Sequence, residues 1–287
     1  MLRIERVLAP NPGTYTLDGT NTWIVGREPS IVIDPGPNDP DHLEEVARRA
    51  APVAAIVVTH DHEDHAPGAP ALAERVGAAV FAFRLAGAER FRAGQSIRAG
   101  DIALDAIRTP GHTSDHVAFF EPATRSLFTG DAVVGRGTSF IDPPDGDLVA
   151  YLRSLRRMLD LDPRTIYPGH GPTVLHGRAK LEEYLAHRAE REEEIRSVLV
   201  EGPRTIDRIV ASVYTGYPPE VHPLAARSVL AHLLKLEREG KVIRSGSRDD
   251  GPWTASGPRS CERCGRRVVG RGRYCNACSL AILQDEG

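Results

Sequence analysis

Cysteine is absent from the first 260 residues of this 287-residue chain. That excludes disulfides and thiol nucleophiles from most of the molecule. An uninterrupted apolar run of membrane-spanning length is missing too, and the opening MLRIERVLAP has charges but no apolar stretch long enough for a secretory signal. The expected location is the cytoplasm, with no membrane partner. Excess positive charge is also lacking. Residues 1–175 carry 17 Lys/Arg against 23 Asp/Glu, residues 176–250 carry 13 of each, and residues 251–287 carry 6 against 3. An acidic body with a basic tail excludes a blanket nucleic-acid binder and leaves only local patches open. What remains, 41% apolar and 26% charged, is enough to bury the core of one enzyme-sized domain with small appendages.

Residues 1–175 alternate short apolar runs with helical patterns. The runs IVIDPG (31–36), AAIVVTH (54–60), HVAFFE (116–121) and SLFTGD (126–131) read as strands ending in polar or glycine-containing turns. NDPDHLEEVARRA reads as a helix capped by Asn38 or Asp39, with Leu43, Val46, Ala47 and Ala50 on one face. A second helix follows Asp147, striped by Leu148, Tyr151, Leu152, Leu155 and Leu159. Strands mixed with helices predict an α/β layered sandwich. Beyond it, residues 176–256 read as a charged helix (178–201), a short helix (Thr205 to Tyr214), a third (Pro223 to Glu239) and a hairpin in GKVIRSGSRDDGPWTAS. Three helices and a hairpin predict a winged helix, and residues 257–287 form a separate tail.

THDHEDH (59–65) packs three histidines and three acids into seven residues. Single histidines are usually solvated or packed, as His42, His176, His187, His222 and His232 are expected to be. Here, however, TPGHTSDH (109–116), FTGD (128–131) and YPGHG (167–171) add His112, Asp131 and His170 at three further strand ends. Imidazoles and carboxylates converging from four loops at one sheet edge are the donor set of a metal site. His60 and His62, two apart, address one ion from a turn. Asp64 and His65 address a second.

These motifs resemble the metallo-β-lactamase superfamily of hydrolases, over roughly residues 1–175. The resemblance implies an αββα sandwich with its site at one edge of the sheets. It also implies that His60, His62 and His112 hold one zinc, that Asp64, His65 and His170 hold a second, and that Asp131 bridges them. Asp34 of IVIDPG matches an aspartate under the site that orients a ligand; His116 reads either as a similar partner or as a packed residue. A water shared by two such ions loses a proton near neutral pH and becomes the nucleophile. Asp64 is the residue expected to orient it and pass a proton to the leaving group. Nitrogen and oxygen ligands suit two Zn2+, and also Mn2+ or Fe2+.

Within the superfamily, GTNTWIV (19–25), GDAVVGRGTSF (130–140), DGDLVAYLRSL (145–155) and the winged helix resemble a lactamase-B-like group over about residues 1–255. That group includes an endoribonuclease acting on single-stranded RNA, and its close relatives include thioesterases on acyl carriers. The expected activity is therefore metal-dependent hydrolysis, of single-stranded RNA first and of a small acyl thioester second. A non-catalytic nucleic-acid-binding adaptor is the reading of a different class, opposed by seven intact ligands. Arg244 and Arg248 of the hairpin suggest nucleic-acid contact, yet Glu237, Glu239, Asp249 and Asp250 lie among them. A packing role or a homodimer contact is equally open to this domain.

The tail carries CxxC, ten residues, then CxxC: Cys261, Cys264, Cys275 and Cys278. Paired knuckles of this spacing predict a structural four-cysteine zinc ribbon with one Zn2+. A zinc ion held by four thiolates would carry net negative charge that offsets most of the tail's positive charge, so its arginines are expected to serve thiolates as readily as RNA, and the spacing names no partner for the ribbon.

Overall fold

The computed structural model describes residues 2–92, 94–245 and 251–256. The four tail cysteines and the hairpin residues Arg248, Asp249 and Asp250 lie outside them. The chain divides into two compact units, one ending at His187 and the next starting at Arg188.

The first unit lays down β1 (Ile4–Leu8), β2 (Asn21–Gly26), β3 (Ser30–Ile33), α1 (Pro40–Ala50), β4 (Val53–Val57), α2 (Gly68–Val76), β5 (Ala79–Ala82) and β6 (Glu89–Arg90). These six strands form one sheet in chain order, antiparallel from β1 to β3 and parallel from β3 to β6. Then come β7 (Ser96–Ala99), β8 (Ile102–Arg108), β9 (Val117–Glu121), β10 (Ser126–Gly130), α3 (Leu148–Asp160) and β11 (Thr165–Pro168). They form a second sheet in the order β11-β10-β9-β8-β7, antiparallel except for β10 with β11.

Alternation along the strands makes the layers. Trp23, Val25, Ile31, Ile33, Ala55 and Val57 meet Leu104, Val117, Phe119 and Phe128 in one buried cluster. Their sequence neighbours Ile24, Val32, Ile56 and Val58 face the other way, onto Leu43, Val46 and Ala50 of α1 and Ala69 and Leu72 of α2. A strand buried on both faces must be apolar throughout, which is why IVI and AAIVV are continuous runs. Each such side chain contributes about 1.5–3 kcal/mol on burial.

Helix starts are set by side-chain caps. Asp39 accepts from His42 N at 2.8 Å ahead of Pro40, and Asp147 accepts from Ala150 N at 2.9 Å. α3 buries Leu148, Tyr151, Leu155 and Met158, whereas Leu152 and Leu159 are half-buried. The stripe thus runs along the i, i+3, i+7 row through Met158 instead of bending to Leu159.

Strand direction decides where the loops go. β8 is antiparallel to β9 and β9 to β10, so β8, β10 and β11 all end at one edge. In the first sheet β3 and β4 are parallel and end together where β2 begins. Val117 N donates to Thr59 O at 2.8 Å and ties the two sheets at that edge.

α4 (Gly177–Val200) straddles the division. The second unit continues with α5 (Ile206–Val213), a 3-10 turn (Pro219–Val221), α6 (His222–Arg238) and the antiparallel pair β12 (Val242–Arg244) and β13 (Trp253–Ala255). Ile195, Leu199, Ile209, Val229, Leu233, Leu236 and Trp253 make its core. With α4, these are the three helices and the hairpin that the sequence predicts for a winged helix. Among the described residues, no helix is long and apolar enough to cross a membrane.

Candidate metal centre

The four loops that leave the shared edge carry the motif residues. β4 stops at Val57, so Thr59 and His60 already lie in the turn; His112 follows β8, Asp131 follows β10 directly, and His170 follows β11. One ligand-type atom from each of His60, His62, His112 and Asp131 falls within 4.8 Å of the others, and Asp64, His65 and His170 make a second such group. Ring nitrogens face each other: His60 Nε2 and His62 Nδ1 at 2.9 Å, His112 Nε2 and His62 Nδ1 at 3.4 Å, His65 Nε2 and His170 Nε2 at 3.1 Å. Asp131 stands between the groups. Its Oδ2 lies 3.7 Å from His112 Nε2, and its Oδ1 lies 3.4 Å from His65 Nε2 and 3.3 Å from His170 Nε2. Asp64 Oδ2 lies 3.0 Å from His170 Nε2.

The outward nitrogens explain why these rings face inward with lone pairs. His112 Nδ1 is 2.7 Å from Phe140 O, His170 Nδ1 is 3.2 Å from Gly19 O, and His65 Nδ1 is 2.9 Å from Asp34 Oδ2. Carbonyls and carboxylates only accept, so each Nδ1 is the protonated nitrogen. His60 Nδ1 lies 2.9 Å from Thr59 Oγ1, whose hydroxyl donates to Asp34 Oδ2 at 2.8 Å. Bare nitrogens pointed at one another repel unless a cation lies among them. A tetrahedral ion with bonds of about 2.0–2.1 Å sets its ligand nitrogens about 3.3 Å apart, close to the spacing here. Asp131 Oδ1, buried and without a hydrogen-bond partner, is a further donor atom that a cation would satisfy. The residues therefore fit divalent metal.

Electrostatics say the same. Burial pushes His60 well below the ordinary histidine value and lowers His62, helped in each case by neighbouring histidines. Burial also opposes charge on His65 and His170, yet Asp131, with Asp34 or Asp64, outweighs it, raising His65 well above its usual value and His170 to about 9. Burial likewise disfavours the charged Asp131, but His65 and His170 hold its carboxyl well below the usual range. Without metal, protons take the cation's place.

Asp34, expected from sequence to orient a ligand, and His116, for which the sequence left a packing role equally open, both have defined contacts. Asp34, at φ 51°, accepts from Thr59 N at 2.7 Å as well as facing His65. An aspartate tolerates this left-handed turn better than most residues. His116 sits 2.8 Å from Thr109 Oγ1 through Nδ1, and its Nε2 accepts from Asp131 N at 3.3 Å. Burial drives it well below the ordinary value, so it is neutral.

Other positioning residues were not apparent from the sequence. Asn21 Nδ2 donates to Pro168 O at 2.9 Å and Gly171 O at 2.8 Å, clamping the His170 loop. α3 holds the His112 loop: Tyr151 leaves no room for a side chain at Gly111, where a Cβ would lie 2.3 Å from its backbone, and Ser154 Oγ donates to Pro110 O at 2.7 Å. Tyr151 Oη donates to Ala132 O at 2.7 Å, and Val134 N donates to Tyr184 Oη at 3.0 Å, securing the loop after Asp131. The proline–glycine pairs in TPGHT and YPGHG were the available signal; a Cβ at Gly169 would lie 2.7 Å from Asp131 Oδ1 and from His65 Cε1.

Comparisons with known proteins agree with this architecture. Residues 15–170 match the metallo-beta-lactamase superfamily, and residues 205–253 match the beta-lactamase associated winged helix domain. A beta-lactamase-like protein 2 homolog from Drosophila melanogaster is 34% identical over 275 residues, covering 86% of this chain and 92% of that protein. An atrochrysone carboxyl ACP thioesterase from Aspergillus chevalieri is 35% identical over 259 residues, covering 84% of this chain and 82% of that protein. In fold, a beta-lactamase domain protein from Burkholderia ambifaria superposes with a TM-score of 0.77 at 22% identity, over 89% of this chain and 91% of that one.

Proposed function

Because the chain belongs to the metallo-beta-lactamase superfamily and is a metal-dependent hydrolase, we propose that it hydrolyses a carboxylic thioester at a two-metal centre. His60, His62 and His112 would hold one ion and Asp64, His65 and His170 the other, with Asp131 standing between the two groups. Zinc suits these nitrogen and oxygen donors, as do manganese and iron. When bound, the pair supplies an acidified water and positive charge against the carbonyl oxygen.

The protein's own groups do the rest. The carbonyls of Phe140 and Gly19, Thr59 and Asp34 keep four imidazoles turned inward, so no reorganisation is needed at the moment of reaction. Asp64 has a side chain 24% exposed and also touches His170. Burial raises its pKa, but the hydrogen bond from His170 and the charge of His65 lower it on balance, so it stands as a carboxylate. It accepts a proton from the attacking water and delivers it to the departing sulfur.

The observation that carries the thioester reading is the Aspergillus relative named as an acyl-carrier-protein thioesterase, whose likeness spans both units. Cleavage of single-stranded RNA is the activity that the sequence reading puts first, and it is the second reading here. Against it, Arg191, Arg196, Arg204, Lys235, Lys241 and Arg244 of the second unit each lie within 4.0 Å of a carboxylate. A parallel assay of one metal-replete sample on an acyl thioester and on single-stranded RNA tests the proposal. Thioester turnover faster by orders of magnitude is expected; RNA cleavage with no thioester turnover would overturn it.

A further inference from the structure

Asp34 touches His65 directly and reaches His60 through Thr59; the loop that carries His112 has a buried aspartate of its own. Asp115 is 3% exposed. Its Oδ2 accepts at 3.0 Å from the backbone N–H of Asp61, the residue between His60 and His62. Asp115 is in turn held from behind. The Arg108 guanidinium donates to three successive carbonyls: Ser114 O at 2.8 Å, Asp115 O at 2.6 Å and His116 O at 3.0 Å. Arg108 itself lies over the Phe83 ring, its Cζ 3.7 Å from the centroid. A chain of contacts therefore runs from a strand end (Arg108), through the loop that also carries His112, to the turn that carries His60 and His62.

We propose that Asp115, gripped by Arg108, is the positioning residue that ties the His60–His62 turn to the His112 loop, a link that Asp34, which touches His65 directly and His60 through Thr59, does not supply. The assignment rests on the two-metal reading above. Its logic is geometric. The turn carrying His60 and His62 is fixed at its ends, where Thr59 N–H donates to Asp34 and His62 O accepts from His65 and Ala66 N–H. Between those ends, the Asp61 N–H ties the turn to the His112 loop, and that tie sets the distance of His112 from the two imidazoles of the turn. Partners of this kind are worth about 10–100-fold in metal affinity.

Cobalt(II) titration of the metal-free full-length chain tests this. Imidazole-bound cobalt absorbs through visible d–d bands, and thiolate-bound cobalt adds intense near-ultraviolet charge transfer, so any ion on the cysteine tail is counted apart. Asp115→Ala is expected to weaken by about 10–100-fold the binding step that His112→Ala abolishes, and to leave the step that His170→Ala abolishes unchanged. Asp115→Asn keeps an oxygen acceptor for Asp61 N–H and is expected to restore most of the lost affinity. Equal weakening of both steps, weakening of neither, or an Asn variant as poor as the Ala variant overturns the assignment. Should the Ala variant not fold, Arg108→Lys retains the charge without the three-carbonyl grip. It must weaken the same step, and an effect confined to the other step overturns the proposal. If the wild-type chain binds no cobalt on imidazole, the two-metal reading fails and this assignment falls with it. If the wild type binds two ions and the variants bind them unchanged, the assignment alone fails.

Discussion

Asp34 and His65 are joined by a 2.9 Å contact in which neither residue is accessible to water beyond 2% of its surface. The same carboxylate receives the Thr59 N–H and hydroxyl. Asp34→Ala therefore strips acceptors from three buried donors at once. Metal affinity is expected to fall about 10–100-fold, and the stability of the metal-free chain by about 2–4 kcal/mol. Chelator competition and denaturant unfolding measure the two effects separately; a variant with wild-type affinity would show that His65 needs no brace.

Gly169 stands where no Cβ fits, against both Asp131 and His65. Gly169→Ala must push one of them out of place, and overpacking of this kind costs about 1–3 kcal/mol. The expected signature is a larger loss in turnover than in thermal stability, because the displaced atoms belong to the centre itself. Unaltered kinetics would mean that the YPGHG turn has slack the structure does not suggest.

Asp64→Asn leaves an oxygen near His170 but removes the base. With both metals retained, kcat on a thioester is expected to drop about 100-fold or more, with KM little changed. Metal analysis alongside the kinetics is essential. A fall in activity matched by a fall in metal content would assign Asp64 to binding alone.

The second unit should respond to acid. His232 is buried (1% exposed), its Nδ1 3.8 Å from Glu192 Oε2, with Arg188 and Lys235 also facing it. Burial lowers its pKa from 6.5 to about 4. Between those values the unfolded chain takes up a proton that the folded one refuses, so stability declines as pH falls from 6.5 to about 4, by up to about 3 kcal/mol. Glu192 follows at lower pH. Burial opposes its charge, but His232 and Lys235 prevail and hold its pKa at about 2, so its contribution, present above 4.5, is lost as pH falls towards 2. The chain has two tryptophans, and Trp253 lies in the core of this unit. Urea unfolding of Trp23→Phe, followed by Trp253 fluorescence at pH 7 and pH 5, reads the slope. His232→Leu should flatten it; an undiminished slope would place the acid sensitivity elsewhere.

The motif residues were legible in the sequence because histidines and aspartates clustered beyond apolar runs have few structural uses, and strand ends are where loops converge. The layer order was legible because IVI and AAIVV are apolar on both faces. Thr59, Asn21, Asp115 and Arg108 were not. A threonine, an asparagine or an aspartate beside a strand is an ordinary turn residue, and only the meeting of loops distant in sequence gives it a partner. Asp115 reaches across 54 residues to Asp61 N, and Asn21 across 147 to Pro168 O. Helix positions were readable from caps and stripes, with Met158 replacing Leu159 because a stripe pattern leaves the exact row undecided.

His170 takes its orientation from Gly19 O, and its loop is clamped by Asn21, some 150 residues upstream. The centre is therefore built from both ends of the catalytic unit. During synthesis, no nascent chain that stops short of β11 holds the full donor set, however well its first sheet has folded. Contacts of such long sequence separation form late and slowly. The seven-residue donor set is therefore complete only once His170 has been made, and losing the segment beyond β11 removes a ligand-type residue rather than a brace.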